Sequence, residues 1–276
     1  MLLHKPAEVS IILLRDFARR LVPAGAKPDV KGQMCGGTAR KKPEGIVFDL
    51  GQTIVDDLAF DVRRGYRRIE EYLVGQPWSR RDLYELSLEQ MEDLHHSQAS
   101  LLEFPFVSFI RRLASRHGLA FRVTWEEIER EFLNAANPIC AVEGARPVLE
   151  VLRGQGIPLG IISNSVFSGS ALSDQLAELG LREFFGFLIS SSDLGLRKPH
   201  PHLFAAAARQ MRLQIENVWY LGDRLDTDIA GAQAAGMVAV WFDRGVSPAP
   251  DAGGADAKVH SWAEFRSLVE AACDPG

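Results

Sequence analysis

Residues 46–53 read IVFDLGQT, an apolar run with one carboxylate, Asp49, near its end. Similar short apolar runs recur later in the chain, at residues 158–163, 186–190, 218–222 and 237–242. Stretches with helical apolar spacing separate these runs, at residues 144–153, 171–180, 200–212, 226–235 and 261–272. Short apolar runs that alternate with helices are typical of a parallel sheet flanked by helices. The sequence therefore predicts an α/β core.

About a hundred residues lie between the first two apolar runs and carry no convincing strand pattern. A simple crossover connection needs only about 10–12 residues. Helical spacing instead covers residues 59–75, 79–97, 103–117 and 124–136. A capping-box pair, Thr124 and Glu127, opens the last of these helices. We expect a helical insert over the carboxyl ends of the strands, where such sheets bind ligands, in the position of a lid.

The patterns divide the chain into four parts, namely a basic N-terminal extension at 1–44, a first core part at 45–57, a helical cap at 58–140 and a second core part at 141–276. The extension has nine Lys or Arg against four Asp or Glu, a net charge of +5, which leaves −10 for the rest. It reads as a helix at residues 9–22 followed by a linker. A peripheral helix on a loose tether is the simpler interpretation. An arm that binds a partner or an anionic surface is the alternative.

Overall composition argues against several classes of protein. A formal net charge of −5 provides no bulk basic surface for nucleic acid. No apolar run approaches the ~20 residues of a membrane span, and the run at residues 9–14 is too short for a secretory signal. The three cysteines, Cys35, Cys140 and Cys273, have neither metal-ligand nor disulfide spacing. We expect a cytoplasmic protein without nucleic-acid or membrane partners.

Carboxylates stand at the ends of two apolar runs. Asp49 ends the first run, and Asp223 ends the run VWYLGD at residues 218–223, with Asp226 and Asp228 just beyond it. Clustered carboxylates repel one another unless a cation or a nearby lysine offsets them. Hard oxygen ligands on rigid strand ends suit Mg²⁺, which completes its shell with phosphate and water.

Further polar residues follow the other runs. Ser163 and Asn164 end the run before them, and their side chains could donate hydrogen bonds to phosphoryl oxygens. Lys198 precedes Pro199 and is the only lysine between Lys42 and Lys258, although arginine is plentiful. A single lysine in an arginine-rich chain indicates a need for a compact ammonium group.

Taken in order, these four sites resemble the haloacid dehalogenase superfamily. The resemblance rests on Asp-Leu-x-x-Thr at 49–53, Ser-Asn at 163–164, Lys-Pro at 198–199 and Gly-Asp-x-x-x-x-Asp at 222–228. Each element alone is weak, but four in order across residues 45–245 are highly specific. The resemblance implies a doubly wound core with a helical cap of the C1 type inserted after the first strand, and it favours the phosphatase branch.

A Mg²⁺-dependent phosphatase mechanism is what the resemblance implies. Asp49 would attack phosphorus and form an aspartyl-phosphate, which water then hydrolyses. Mg²⁺ would be held by the carboxylate of Asp49, the backbone carbonyl of Gly51 and the side chain of Asp223. The substrate would be a small phosphorylated metabolite.

The remaining motif residues have implied roles as well. Ser163, with Asn164, would bind the transferring phosphoryl group, and Lys198 would neutralise its charge and that of the nucleophile. Asp228 would orient Lys198 or a metal-bound water. Asp226 lies outside the usual pair and is interpreted as an acid at a helix N-terminus. The implied catalytic set is Asp49, Ser163, Lys198 and Asp228.

Gly51 departs from the family pattern. Phosphatases of this family usually carry a second Asp at this position as general acid and base, and the usual following Gly is Gln52 here. Loss of a positioned acid costs ~10²–10⁴ in rate, which a good leaving group tolerates. Two hypotheses stay open: a phosphohydrolase with restricted substrate or rate, and a weakened or inactive binding protein of the same fold. The patterns identify neither the substrate nor the oligomeric state.

Asp56 and Asp57 stand where the predicted cap begins. We expect them to cap the next helix, because Asp is a preferred N-cap residue. The alternative is that one of them supplies the missing acid. Four arginines follow at helical spacing and are expected to form a solvated ion-pair face, with binding of a second anionic substrate group as the alternative; they are Arg63, Arg64, Arg67 and Arg68.

Overall fold

The computed structural model of this protein describes residues 42–75, 82–95, 101–245 and 254–273, with the backbone alone at residues 91–95 and 273. Most of the predicted N-terminal extension, including its helix at residues 9–22, lies outside the described residues. Within the described ranges, no helix combines the length and the apolar character needed to cross a membrane.

The strands of the described residues are, in chain order, β1 Gly45–Phe48, β2 Val55–Asp57, β3 Ile139–Ala141, β4 Leu159–Ser163, β5 Phe187–Ser190, β6 Val218–Gly222, β7 Val238–Phe242 and β8 Ala257–Val259. Six of them form one sheet in the order β5-β4-β1-β6-β7-β8, and every pairing in it is parallel. The five apolar runs of the sequence all form strands of this sheet. The predicted α/β class is confirmed.

The α-helices in the described part of the chain are α1 Val62–Glu70, α2 Leu83–His95, α3 Phe106–His117, α4 Trp125–Ala136, α5 Ala145–Gly154, α6 Gly169–Glu178, α7 Ser191–Leu194, α8 Pro201–Met211, α9 Ala230–Ala235 and α10 Trp262–Cys273. A π-helical turn, Leu225–Ile229, precedes α9. Side chains of β1 alternate between the two faces of the sheet, with Phe48 packed against Trp262 of α10 and Val47 in the cluster that contains Phe204 of α8. Helices therefore cover both faces, as a doubly wound sheet requires.

Helices α1 to α4 lie between β2 and β3 in the chain. We call this segment the insert, and its four helices the inserted helices. β2 and β3 pair antiparallel and close the base of the insert, with Val55 opposite Ala141. Neither strand follows from the sequence pattern, because three residues are too few to show alternation. Buried side chains of the insert, such as Phe106 and Phe132, belong to the same apolar cluster as one face of the sheet. Phe167 of the core contacts Phe106 with ring centroids 5.2 Å apart.

Two predictions about helix starts have different outcomes. The capping box of α4 is confirmed, because Thr124 and Glu127 exchange side-chain and backbone hydrogen bonds. The prediction that Asp56 and Asp57 cap the next helix is wrong, since both lie in β2. Asp61 caps α1 instead, and its side chain accepts a hydrogen bond from the Arg63 amide.

Candidate active site

Three neighbouring strands bring the predicted residues to one edge of the sheet. Asp49 follows β1, Ser163 ends β4 and Asp223 follows β6, while β1 lies between the other two strands. Because the strands are parallel, their carboxyl ends meet at the same edge, where such folds bind ligands. Asp49 and Ser163 are buried. Residues far apart in sequence thus form a single site.

The ammonium group of Lys198 lies inside this site. Its Nζ is 2.5 Å from Oδ1 of Asp49 and 2.7 Å from Oδ1 of Asp228, and its side chain is 2% exposed. Burial opposes the charged form, but the carboxylates of Asp228 and Asp49 outweigh burial and raise the pKa of Lys198 above its usual range. Lys198 therefore stays charged and offsets two buried carboxylates.

Carboxylate oxygens of Asp49, Asp223 and Asp228 lie within 4.8 Å of one another. Burial is the main cause that raises the pKa of Asp49 to about 6, with Lys198 acting against it. Burial, together with the charges of Asp49 and Asp228, raises the pKa of Asp223 to about 8. The single ammonium group of Lys198 thus leaves part of the negative charge of the three carboxylates unbalanced. The donor set, hard oxygens held on strand ends, fits a divalent cation of the Mg²⁺ type.

Tyr220, on β6, was not among the residues singled out from the sequence. Its hydroxyl donates to Oδ1 of Asp228 at 3.0 Å and accepts from Nζ of Lys198 at 3.0 Å. Burial, and then the charges of Asp228 and Asp49, raise the pKa of Tyr220 well above its usual range, so its hydroxyl stays protonated. The one sequence signal for this role is a hydroxyl in the otherwise apolar run VWYLG.

Backbone close to Asp228 also shapes the site. The Arg224 amide donates to Oδ2 of Asp228 at 3.1 Å. A Cβ at Gly222 would lie 2.7 Å from side-chain atoms of Asp228, so only glycine lets the strand pass this close. Asp226 instead pairs with the Arg224 guanidinium at 2.8 Å and is partly exposed. Asp226 is therefore not part of the acidic cluster.

Asn164 fixes the backbone of Lys198. Its Oδ1 accepts from the Lys198 amide at 2.7 Å, and its Nδ2 donates to the Lys198 carbonyl at 3.1 Å. This pair of hydrogen bonds joins the loop after β4 to the loop before α8. The predicted role of Asn164 in substrate binding stays a prediction, and the structure adds a second role in holding Lys198.

A family model described as a haloacid dehalogenase-like hydrolase matches residues 43–236, which is more than half of the chain. The chain belongs to this family. A glyceraldehyde 3-phosphate phosphatase from Pyrococcus abyssi is 30% identical over 207 residues, which cover 72% of this chain and 81% of the relative. One of the same name from Methanopyrus kandleri is 42% identical over 101 residues, 36% of this chain and 42% of that relative. The latter match thus spans less than half of the relative.

Solved structures agree with the haloacid dehalogenase-like fold. The crystal structure of a phosphatase of this family from Thermococcus onnurineus superposes with a TM-score of 0.56 at 19% sequence identity. The superposition covers 82% of this chain and 97% of the other. The similarity confirms the fold, including the doubly wound core inferred from the sequence.

Gly51 is the position at which this haloacid dehalogenase-like chain departs from the usual phosphatase motif. It lies in the turn between β1 and β2 and forms an isolated bridge with Val55. A Cβ at Gly51 would have no described atom within 4 Å, and its φ is not in the left-handed region. Neither crowding nor backbone conformation therefore requires glycine here. The predicted metal-binding role of its carbonyl stays a prediction.

Gln52 adopts a left-handed conformation, with φ 61°, at the position where the family usually has Gly. Its amide donates to the Val55 carbonyl at 2.7 Å, and its carbonyl accepts from Arg244 at 3.2 Å. Arg244 also binds both carboxylate oxygens of Asp56, at 2.7 and 2.9 Å. This bidentate ion pair engages both carboxylate oxygens of Asp56 with Arg244, which argues against Asp56 as the missing acid.

Among the described contacts of the four arginines on α1, those of Arg68 fit the ion-pair interpretation, whereas that of Arg63 is a cation–π contact. Arg68 bridges Glu71 at 2.5 Å and Glu131 at 2.7 Å. The guanidinium of Arg63 lies 4.2 Å from the ring centre of Tyr84. In both cases the guanidinium group of the arginine interacts with other residues of the insert.

Proposed function

We propose that this chain is a phosphoric monoester hydrolase that acts on a small phosphorylated metabolite, with Asp49 as nucleophile and Mg²⁺ as cofactor. The observation that carries the proposal is the contact of Lys198 with Asp49 inside a cluster that also holds Asp223 and Asp228. A nucleophilic carboxylate needs a cationic partner that lets it approach a phosphoryl dianion. Membership of the haloacid dehalogenase-like family and the phosphatase names of the relatives support the same reaction.

In the proposed mechanism, an oxygen of Asp49 forms a bond to phosphorus while the ester oxygen leaves with the bond electrons. Water then attacks phosphorus of the aspartyl-phosphate, which releases inorganic phosphate and regenerates the carboxylate. Mg²⁺, when bound by Asp49, Asp223 and the Gly51 carbonyl, would offset charge on the carboxylates and the phosphoryl oxygens.

Lys198 and Ser163 are the proposed phosphoryl-binding side chains. The ammonium of Lys198 neutralises the nucleophile before reaction and the phosphoryl oxygens during it. Ser163 donates a hydrogen bond to the phosphoryl group, and Asn164 contributes to the binding of this group. Asn164 also holds the Lys198 backbone through two hydrogen bonds. Asp228 orients the ammonium, with which it forms a buried ion pair.

Residues 58–140 are the proposed cap, and residues 45–57 and 141–276 the proposed core. The cap sits beside the carboxyl ends of the strands, because residues 101–103 contact residues 195–197 just before Lys198. A cap in this place limits the size of the substrate, which favours a small metabolite. The scattered cysteines favour a cytoplasmic location.

Gly51 restricts the substrate in this proposal. Without a positioned acid, the leaving oxygen departs unprotonated, so an acyl, aryl or anomeric sugar phosphate reacts best. The test is phosphate release from a panel of phosphate esters with and without Mg²⁺, with Asp49→Asn as the control. A flat response across good leaving groups, equal for wild type and Asp49→Asn, would contradict the proposal.

Gly51 also favours a second candidate function, a binding protein that keeps the site but has lost turnover. Gly51→Asp separates the two candidates, because the space beside Gly51 is open to a side chain. An inert wild type that gains turnover on this substitution indicates a binding protein with an intact scaffold. Turnover by the wild type indicates the enzyme.

A further inference from the structure

Glu103 belongs to the inserted part of the chain, between α2 and α3, but its side chain is bound to the core. Its carboxylate forms an ion pair with Arg197, and the two side chains are 1% and 5% exposed. Arg197 immediately precedes Lys198. Two charges buried this deeply lose their hydration, so each charge depends on the opposite charge for its stabilisation.

Backbone contacts join the same two segments. Residues 101–103 and 195–197 lie antiparallel, with Leu102 opposite Leu196. The Arg197 amide donates to the Leu101 carbonyl at 2.8 Å, and the Glu103 amide donates to the Gly195 carbonyl at 3.0 Å. The loop that carries Lys198 is therefore held by the insert as well as by the core.

The carboxylate of Glu103 reaches a second loop of the site through Ser191. Ser191 Oγ donates to Oε2 of Glu103 at 2.6 Å and accepts from the Ser165 amide at 2.8 Å. Ser165 directly follows Ser163 and Asn164 in the loop after β4. One buried carboxylate from the insert is thus connected to both loops that carry the phosphoryl-binding residues.

We propose that Glu103 is a positioning residue that holds both loops, so that Lys198 is aligned with Asp49 only when the inserted helices are docked. The role in the reaction rests on the proposed function. Asn164 couples the two loops through its hydrogen bonds to the Lys198 backbone, so a shift of either loop displaces the ammonium. Loss of the Glu103 charge leaves Arg197 buried without this counter-charge and weakens the attachment of the Lys198 loop to the insert.

The test compares Glu103→Gln with a matched control, Glu129→Gln. Glu129 is likewise a buried carboxylate of the insert, and it accepts from the amide and hydroxyl of Ser168 at 2.9 and 2.6 Å. Ser168 caps α6, so this contact also joins insert and core, but at a helix start. Both substitutions remove one charge from the same interface.

Turnover of para-nitrophenyl phosphate with Mg²⁺ is the first measurement. For Glu103→Gln we expect kcat to fall roughly 10- to 100-fold with KM within about threefold, because small displacements of a catalytic group cost this much. For Glu129→Gln we expect kcat within about threefold of wild type. Equal losses in both variants, or an unchanged kcat in Glu103→Gln, would overturn the proposal.

A double variant separates positioning from stability. Glu103→Leu combined with Arg197→Met replaces both members of the ion pair by apolar groups, so neither charge is left buried without the other. We expect its Tm to return toward that of wild type while kcat stays low, because the link through Ser191 is still lost. Recovery of kcat together with Tm would show that the pair only stabilises the fold, and the proposal would fail.

Hydrogen exchange, measured on the full chain, tests the attachment of the Lys198 loop to the insert and does not depend on turnover. Amides of residues 195–198 should exchange faster in Glu103→Gln and at the wild-type rate in Glu129→Gln. Unchanged exchange in Glu103→Gln would overturn the proposal. If wild-type protein releases no phosphate from this aryl ester or from the other good leaving groups of the panel, the proposed function fails, and the exchange result alone decides whether Glu103 holds the loop.

Discussion

Nζ of Lys198 lies 2.5 Å from Oδ1 of Asp49 although 149 residues separate them in sequence, and both are buried. For Lys198→Met we expect phosphate release to fall at least ~100-fold, because the transferring charge loses its fixed cation. We also expect the free energy of unfolding to fall by about 3–5 kcal/mol, since two buried carboxylates lose their partner. Denaturant unfolding and phosphate release measure the two effects.

Lys258→Met is the matched control for that substitution. Lys258 pairs with Asp243 at 2.7 Å, but its side chain is 39% exposed. Exposed ion pairs contribute less than about 1 kcal/mol, so stability and turnover should change little. Similar destabilisation by the two substitutions would contradict the prediction that the buried ion pairs of Lys198 stabilise the fold more than an exposed pair does.

Much of this arrangement could be predicted from the sequence, because strands buried on both faces are continuous apolar runs. A carboxylate or hydroxyl that interrupts such a run marks the strand end, and parallel strands place their carboxyl ends together. Asp49, Ser163 and Asp223 follow directly from this pattern. The position of Lys198 needed the family resemblance in addition.

Other parts of the site depend on tertiary contacts that leave no local pattern. Arg244 meets Asp56 across 188 residues, and Arg197 meets Glu103 across 94. β2 is three residues long, too short to be distinguished from a loop that begins a helix, so the sequence pattern wrongly predicts its acid Asp56 to be a helix cap. Pairing between distant segments decides these cases, and single-residue propensity does not.

Mg²⁺ and pH should act on stability in opposite directions. Burial raises the pKa of Asp49 to about 6 and that of Asp223 to about 8, from the usual 3.8. Between about pH 4 and pH 8 the folded chain therefore binds more protons than the unfolded chain, so without Mg²⁺ these groups lower the free energy of unfolding as pH rises.

Mg²⁺ needs the deprotonated carboxylates, so its binding displaces these protons. The increase in Tm on adding Mg²⁺ should be larger at about pH 8.5 than at about pH 5, and Asp223→Asn should abolish most of it. Thermal unfolding in Mg²⁺ and in EDTA at both pH values measures the difference. An equal increase at the two pH values would argue against a cation held by Asp49 and Asp223.

Gly51→Asp should broaden the substrate range. The new carboxyl can protonate the leaving oxygen, which matters most for alkyl phosphates, whose leaving groups are poor. We expect turnover of an alkyl phosphate to rise ~10²–10⁴-fold and that of an aryl phosphate to rise much less. Gly51→Asn, which has the same size without the acid, is the control. Equal gains for the two ester types would exclude an acid role at this position.

Tyr220→Phe removes the hydroxyl that lies between the ammonium of Lys198 and the carboxylate of Asp228. Hydrogen bonds to charged groups contribute about 1.5–3 kcal/mol, so the free energy of unfolding should fall by that amount. Lys198 keeps its contacts with Asp49 and with the Ile162 carbonyl, so we expect kcat to fall by about tenfold while KM changes little.

Tyr66→Phe is the control for that substitution, because Tyr66 is as fully buried but lies on α1 of the insert. Its hydroxyl bonds to Ser87, which is neutral, so the loss of stability should be smaller, about 0.5–1.5 kcal/mol. Since Tyr66 contacts neither Lys198 nor Asp228, kcat should stay near the wild-type value. A kcat for Tyr220→Phe that equals that of Tyr66→Phe would show that the Tyr220 hydroxyl stabilises the fold without orienting the ammonium.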